Sequence, residues 1–143
     1  MKALQAIFTY ALIITFTSIS FAQDGKVYVE ISGIDEIEGD LSIGLFNDAE
    51  LFPQNGKAFQ GSRVKVETSK ISYTFENIPA GDYALAIYHD ENSDGELGKN
   101  FLGMPSEDYV FSNYATGTMG PPSFEDAMFT HKDSTTIKLN LNE

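Results

Sequence analysis

Residues 70–89 read KISYTFENIPAGDYALAIYH. Ile71, Tyr73 and Phe75 alternate with Ser72, Thr74 and Glu76, and past the turn the alternation resumes with Tyr83, Leu85 and Ile87. A period of two sends one set of side chains to one face of a strand, so each run has a face to bury. Between them, Pro79 presets φ for position i+1 of a turn, and Gly81 suits position i+3 of type I. The reading is a hairpin of two antiparallel strands, with Phe75 and Tyr83 flanking its corner.

The same rhythm continues on both sides. KVYVEIS places Val27, Val29 and Ile31 on one face. DLSIGLFND does so with Leu41, Ile43 and Leu45, SRVKVETS with Val64 and Val66, and STTIKLNLNE with Ile137, Leu139 and Leu141. Turn residues separate the runs in GIDEIEGD, PQNGK and NIPAGD. Strand-length runs with one polar face each predict an all-β fold, an antiparallel two-sheet sandwich of about seven strands. From Asp90 to about Lys132 the alternation lapses, and long irregular segments in small domains are often functional or ordered by something. Within it, PPSFEDAMF predicts one short helix before the last strand. Ser123 is its N-cap, and Glu125 and Asp126 lie in the first turn, where the helix dipole favours them.

That segment opens on HDENSDGELG, residues 89–98. Asp90, Asn92 and Asp94 stand at i, i+2 and i+4, followed by Gly95 and Glu96. This is the spacing by which a calcium loop wraps oxygen ligands around a hard cation. The candidate metal residues are Asp90, Asn92, Asp94 and Glu96, and the candidate cofactor is Ca²⁺. The twelfth position, which should carry a bidentate Glu, holds Phe101. The segment before the loop reads as a strand, so this is not an EF-hand. A last ligand would come from Asp48, Glu50, Glu107, Asp108, Glu125 or Asp126. The alternative is a polar turn in which Asp and Asn bond their own backbone and Gly95 takes positive φ. His89 beside Asp90 raises a general base, and His89 with His131 raises a transition-metal site. Two isolated histidines are more often structural. There is no nucleophile elbow, no H-E-x-x-H and no phosphate-cradling glycine loop. Tyr109, Phe111, Tyr114 and Phe124 either pack the irregular segment onto a sheet or form a platform for a ligand.

The chain has 143 residues, no cysteine and a formal charge of −12. Such acidity repels phosphate backbones and anionic membranes, so nucleic acid is not an expected partner. It favours divalent cations and basic surfaces, or serves only solubility. Residues 1–22 read as a secretory signal peptide. Lys2 is the charged start, Ala3 to Phe16 the apolar stretch, and Ser20 and Ala22 the small residues of the cleavage site. The expectation is one domain over residues 23–143, exported to the periplasm or outside the cell, with no membrane insertion after cleavage.

The F-x-N-I-P-x-G-x-Y pattern of residues 75–83 resembles the hairpin of transthyretin-like, prealbumin-type sandwiches, where it is structural. Wider motifs resemble a bacterial family catalogued as domain of unknown function 2141. They are N-I-P-x-G-x-Y (Asn77 to Tyr83), H-D-x-N-x-D-G-x-L (His89 to Leu97), the stretch Asn100 to Glu107, F-S-N-x-A (Phe111 to Ala115) and G-P-P-x-F-x-x-A-x-F (Gly120 to Phe129). The resemblance implies an exported immunoglobulin-like or prealbumin-like sandwich with no assigned activity. Three functional readings follow. The first is a non-catalytic binding or envelope-associated module with a structural calcium loop, meeting a ligand or an envelope protein. The second is an enzyme using His89 near the Asp90–Asp94 loop, and the third a subunit of a surface assembly. A hydroxyisourate hydrolase is set aside, because that activity looks tied to a C-terminal Tyr-Arg-Gly-Ser segment and this chain ends KLNLNE.

Overall fold

The two strands of the quoted stretch form where the alternation places them, as β4 (Ile71–Ile78) and β5 (Gly81–Asp90). They do not pair with each other. In the computed structural model, which describes residues 25–143, β4 lies in one sheet and β5 in the other. The expected hairpin is therefore a corner that carries the chain across the core. Asn77 takes φ 58° just before it, a left-handed conformation that asparagine tolerates better than most residues. The Tyr83 hydroxyl donates to the Pro79 carbonyl at 2.9 Å, and this bond pins the corner. Tyr83→Phe is expected to cost about 1 kcal/mol, the usual net worth of one such bond. A urea melt would read it. An unchanged midpoint would assign the corner to ring packing alone.

The first sheet has the order β4-β1-β8, with β1 at Gly25–Ser32 and β8 at Ser134–Asn140. The second has the order β3-β2-β5-β6, with β2 at Asp40–Phe46, β3 at Gln60–Lys65 and β6 at Tyr109–Phe111. A short β7 (Phe129–His131) also pairs with β5. The fold is an all-β sandwich. One ladder departs from the antiparallel expectation, for β1 and β8 run parallel from Lys26↔Ser134 to Ser32↔Asn140. The strand order also differs from that of an immunoglobulin constant domain, where the first two strands share a sheet. The signal-peptide reading of residues 1–22 lies outside the described residues.

The faces follow the alternation. Val27, Val29, Leu41, Leu45, Phe75, Leu85 and Ile87 are buried between the sheets. A second apolar cluster lies on the outer face of the five-stranded sheet. Phe52 is its hub, meeting the rings of Phe46, Phe111 and Phe124 at centroid distances of 5.4, 5.7 and 5.9 Å, all edge-on. Such contacts add about 0.5–1.5 kcal/mol each beyond area burial.

This second cluster orders much of the long segment. Its elements are β6, a 3₁₀ turn (Ser112–Tyr114), the helix α1 (Phe124–Ala127) and β7. Ser123 caps α1 as expected, its Oγ accepting from the Asp126 N–H. Phe111 and Phe124 pack against the sheet, whereas Tyr109 and Tyr114 keep 45% and 41% exposure. Ser112 joins the parts. Its buried hydroxyl accepts from the Leu85 N–H at 2.8 Å and donates to the Ala127 carbonyl at 2.5 Å.

Candidate functional site: the Asp90 turn and the groove beside it

The ladder between β2 and β5 sets Asp40 directly opposite Asp90. By the alternation of β5, Asp90 belongs to the outer face, as do Ala86 and Tyr88. Like charges opposed in this way destabilise a sheet. Arg63, the chain's only arginine, resolves the conflict. It sits on β3 opposite Ser42, two pairs further on and so on the same face, and its Nη2 reaches both carboxylates. Asp40 Oδ2 lies 3.1 Å away, and Asp90 Oδ2 makes a short contact with the same nitrogen. Asp90 is fully buried, while the Arg63 side chain keeps 39% exposure. The Ser93 hydroxyl and then Arg63 hold the Asp40 carboxyl below the usual range. Asp40 foremost, then Asp90, raises the guanidinium further.

Asp90 also organises the turn that follows it. Its Oδ1 accepts from the Asp94 N–H at 3.1 Å and its Oδ2 from the Gly95 N–H at 2.8 Å. Asn92 Oδ1 accepts from the same Asp94 N–H, and Asn92 Nδ2 donates to Asp94 Oδ2, both at 2.9 Å. Glu96 joins through its N–H, bonded to Asp94 Oδ1 at 2.8 Å. Gly95 takes φ 90°, a conformation that strains any L side chain. Its carbonyl accepts from the Asn55 amide and the Tyr88 hydroxyl. Among the six acidic residues named as completing ligands, Glu107 is drawn to this loop. Its carboxylate accepts the N–H groups of Glu91 at 3.1 Å and Gly98 at 2.7 Å. Asp48 and Asp126 are bonded within turns of their own.

The expected residues Asp90, Asn92, Asp94 and Glu96 thus share one turn. Ca²⁺ takes six to eight oxygens. The side-chain oxygens of Asp90, Asn92 and Asp94 already face N–H groups or Arg63. Among the described residues, no three His, Asp or Glu side chains gather as metal ligands. The positive charge at this place is Arg63, an outward residue of the alternating strand β3.

The histidines are bound into the fold. His89 is 1% exposed, and its Nε2–H donates to the Glu38 carbonyl at 2.8 Å. His131 is fully buried. Its Nε2–H donates to the Ile78 carbonyl at 3.2 Å, leaving Nδ1 to accept from Thr135 Oγ1 at 2.9 Å. His131 pairs with Gly81 at the start of β5, and His89 lies near its end. At about 3.4 Å per residue the two are roughly 27 Å apart, so they do not share a metal.

Beside the Asp90 turn, the outer face of the five-stranded sheet forms the floor of an open cleft of about 1620 Å³. The register explains the floor, since Gly61, Gly44, Ala86 and Phe111 lie in one row across four strands. Arg63, Ser42, Tyr88 and Tyr109 form the next row. Loops around residues 92–106 and 116–122 frame the cleft. A Cβ added at Gly61 would meet nothing nearer than 3.7 Å, so the floor has room above it there.

Comparison with known proteins adds one finding. A family model described as an uncharacterized protein conserved in bacteria (DUF2141) matches residues 29–138. Neither a search of curated proteins nor one of solved structures found a match.

Proposed function

Since this chain belongs to the uncharacterized bacterial family DUF2141, we propose its function from its own geometry: it is an exported, non-catalytic binding module whose site is the groove on the five-stranded sheet. The observation that carries this is the row of Gly61, Gly44 and Ala86. It leaves a low floor beside the Tyr88–Tyr109 row, open above Gly61 and bounded by Phe46, whose ring lies over Gly44. Grooves of this kind, mostly apolar with a few fixed polar groups, are the usual form of small-ligand sites. The ligand class is elongated and apolar, with polar groups that meet Arg63 or the Tyr88 hydroxyl. The burial and bonding of His89 support binding over catalysis. In this reading Arg63 supplies the charge that the sequence assigns to Ca²⁺, and the Asp90 turn is a rigid wall of the groove. Among the described residues no helix is long and apolar enough to cross a membrane.

The test fills the groove. Gly61→Leu places a side chain over the floor, at a strand position where glycine itself costs about 0.5–1 kcal/mol. The melting temperature is expected to hold or rise. The fluorescence of an apolar dye, anilinonaphthalene sulfonate, is expected to be enhanced by the wild type and not by the variant. Equal enhancement by both would remove the groove as the site.

A further inference from the structure

We propose that the turn at residues 99–105 is a docking element for a zwitterionic lipid surface, seated shallowly at the headgroup boundary. Phe101, Leu102 and Met104 are 94%, 72% and 60% exposed, and Met119 on the other loop framing the groove is fully exposed. Single exposed apolar residues are ordinary, but several at one place mark an interaction surface.

The turn is built to hold them out. Asn100 Oδ1 accepts the N–H groups of Leu102 at 2.9 Å and Met104 at 3.1 Å. The Gly103 N–H donates to the Asn100 carbonyl, and the Asn100 N–H to the Met104 carbonyl. Lys99 and Pro105 close the base as a bridge. Backbone groups entering an apolar medium must already be bonded, because each bare one costs several kcal/mol there. Here the N–H groups of residues 100, 102, 103 and 104 are satisfied within the turn.

Charge points the same way. The chain carries 21 acidic residues, yet Leu97 to Pro105 and Ala115 to Pro122 contain one charged residue between them, Lys99. A body this acidic is repelled by an anionic bilayer and by a second copy of itself. Its charge-poor apolar side can still approach a neutral one, and Lys99 can extend its amine to the headgroups. This inference stands whether or not the groove takes a ligand.

The chain has no tryptophan, so Phe101→Trp introduces a single reporter. The protein used lacks residues 1–22, whose apolar run would bind vesicles by itself; both sheets and both apolar clusters lie within residues 25–143. With phosphatidylcholine vesicles the emission is expected to shift to shorter wavelength and to be quenched by acyl-brominated lipid. Leu102→Ser is expected to weaken partitioning roughly tenfold, as one buried leucine implies. No shift with phosphatidylcholine, or a shift only with anionic phosphatidylglycerol vesicles, would overturn the proposal. So would a shift that grows with protein concentration in the absence of lipid, which would make the turn a contact between copies.

Discussion

Arg63→Met is expected to cost about 2–4 kcal/mol. Removing one partner of a buried ion pair costs about 3–5 kcal/mol, because the other charge is left buried and unpaired. The figure is reduced here because Arg63 is partly exposed and Asp90 keeps the N–H groups of Asp94 and Gly95. For a domain of this size the loss corresponds to a fall in melting temperature on the order of 10 °C or more. Adding Asp90→Asn removes the stranded charge, so the double variant is expected to recover part of the loss. That non-additivity is the signature of a direct pair. The same melts examine calcium. An ion filling the turn at 100 times its Kd would add about 2.7 kcal/mol, whereas the wild type is expected to melt alike in EDTA and in Ca²⁺. A Ca²⁺-specific rise in the wild type, with Arg63→Met close to neutral, would return the role of holding the turn to the metal.

Ser112→Ala is expected to cost about 2–4 kcal/mol, far beyond the loss of one surface hydroxyl. The Leu85 N–H and the Ala127 carbonyl both depend on that oxygen, and Ser112 is fully buried. Each stranded group carries a desolvation penalty of about 1–3 kcal/mol. The effect should also be local. Exchange of the Leu85 amide proton is expected to accelerate strongly, together with the amides of α1, while those of β1 slow or quicken only with global stability. Asn113 supplies a weaker second tie, its amide donating to the carbonyls of Asp126 at 3.3 Å and Met128 at 2.8 Å. If the Leu85 amide exchanged as in the wild type, water would have replaced the serine, and the cost would shrink accordingly.

These two residues also show where sequence reading stops. Period-two alternation located six strands, because it reports which face of a run is apolar. It does not report which strand lies alongside. Phe75 and Leu85 both point inward whether β4 and β5 pair as a hairpin or face each other across the core, so the pattern around Pro79 fits a hairpin and a corner equally. The three-residue strands β6 and β7 are too short to show a period. Ser123 was legible as a cap because capping is a contact over three residues. Ser112 and Arg63 act across 15 to 27 positions, and nothing local distinguishes them from any polar residue of a strand or turn. For Arg63 the one available signal was that the chain contains no other arginine. The spacing of Asp90, Asn92 and Asp94 did predict a shared turn, but the same spacing serves an ion and a self-bonded loop equally.

The parallel ladder between β1 and β8 bears on the order in which the sandwich can be completed. β1 is the first described strand made and β8 the last, and β1 is the middle strand of its sheet. Until β8 emerges, one flank of β1 and one side of the core lie open, however well β2, β3 and β5 have paired. Synthesis proceeds at about 5–20 residues per second, so the nascent chain spends seconds with that flank bare. Pairings so distant in sequence are also slow to close. A chain wired in this way stays incompletely folded for as long as its last strand is withheld.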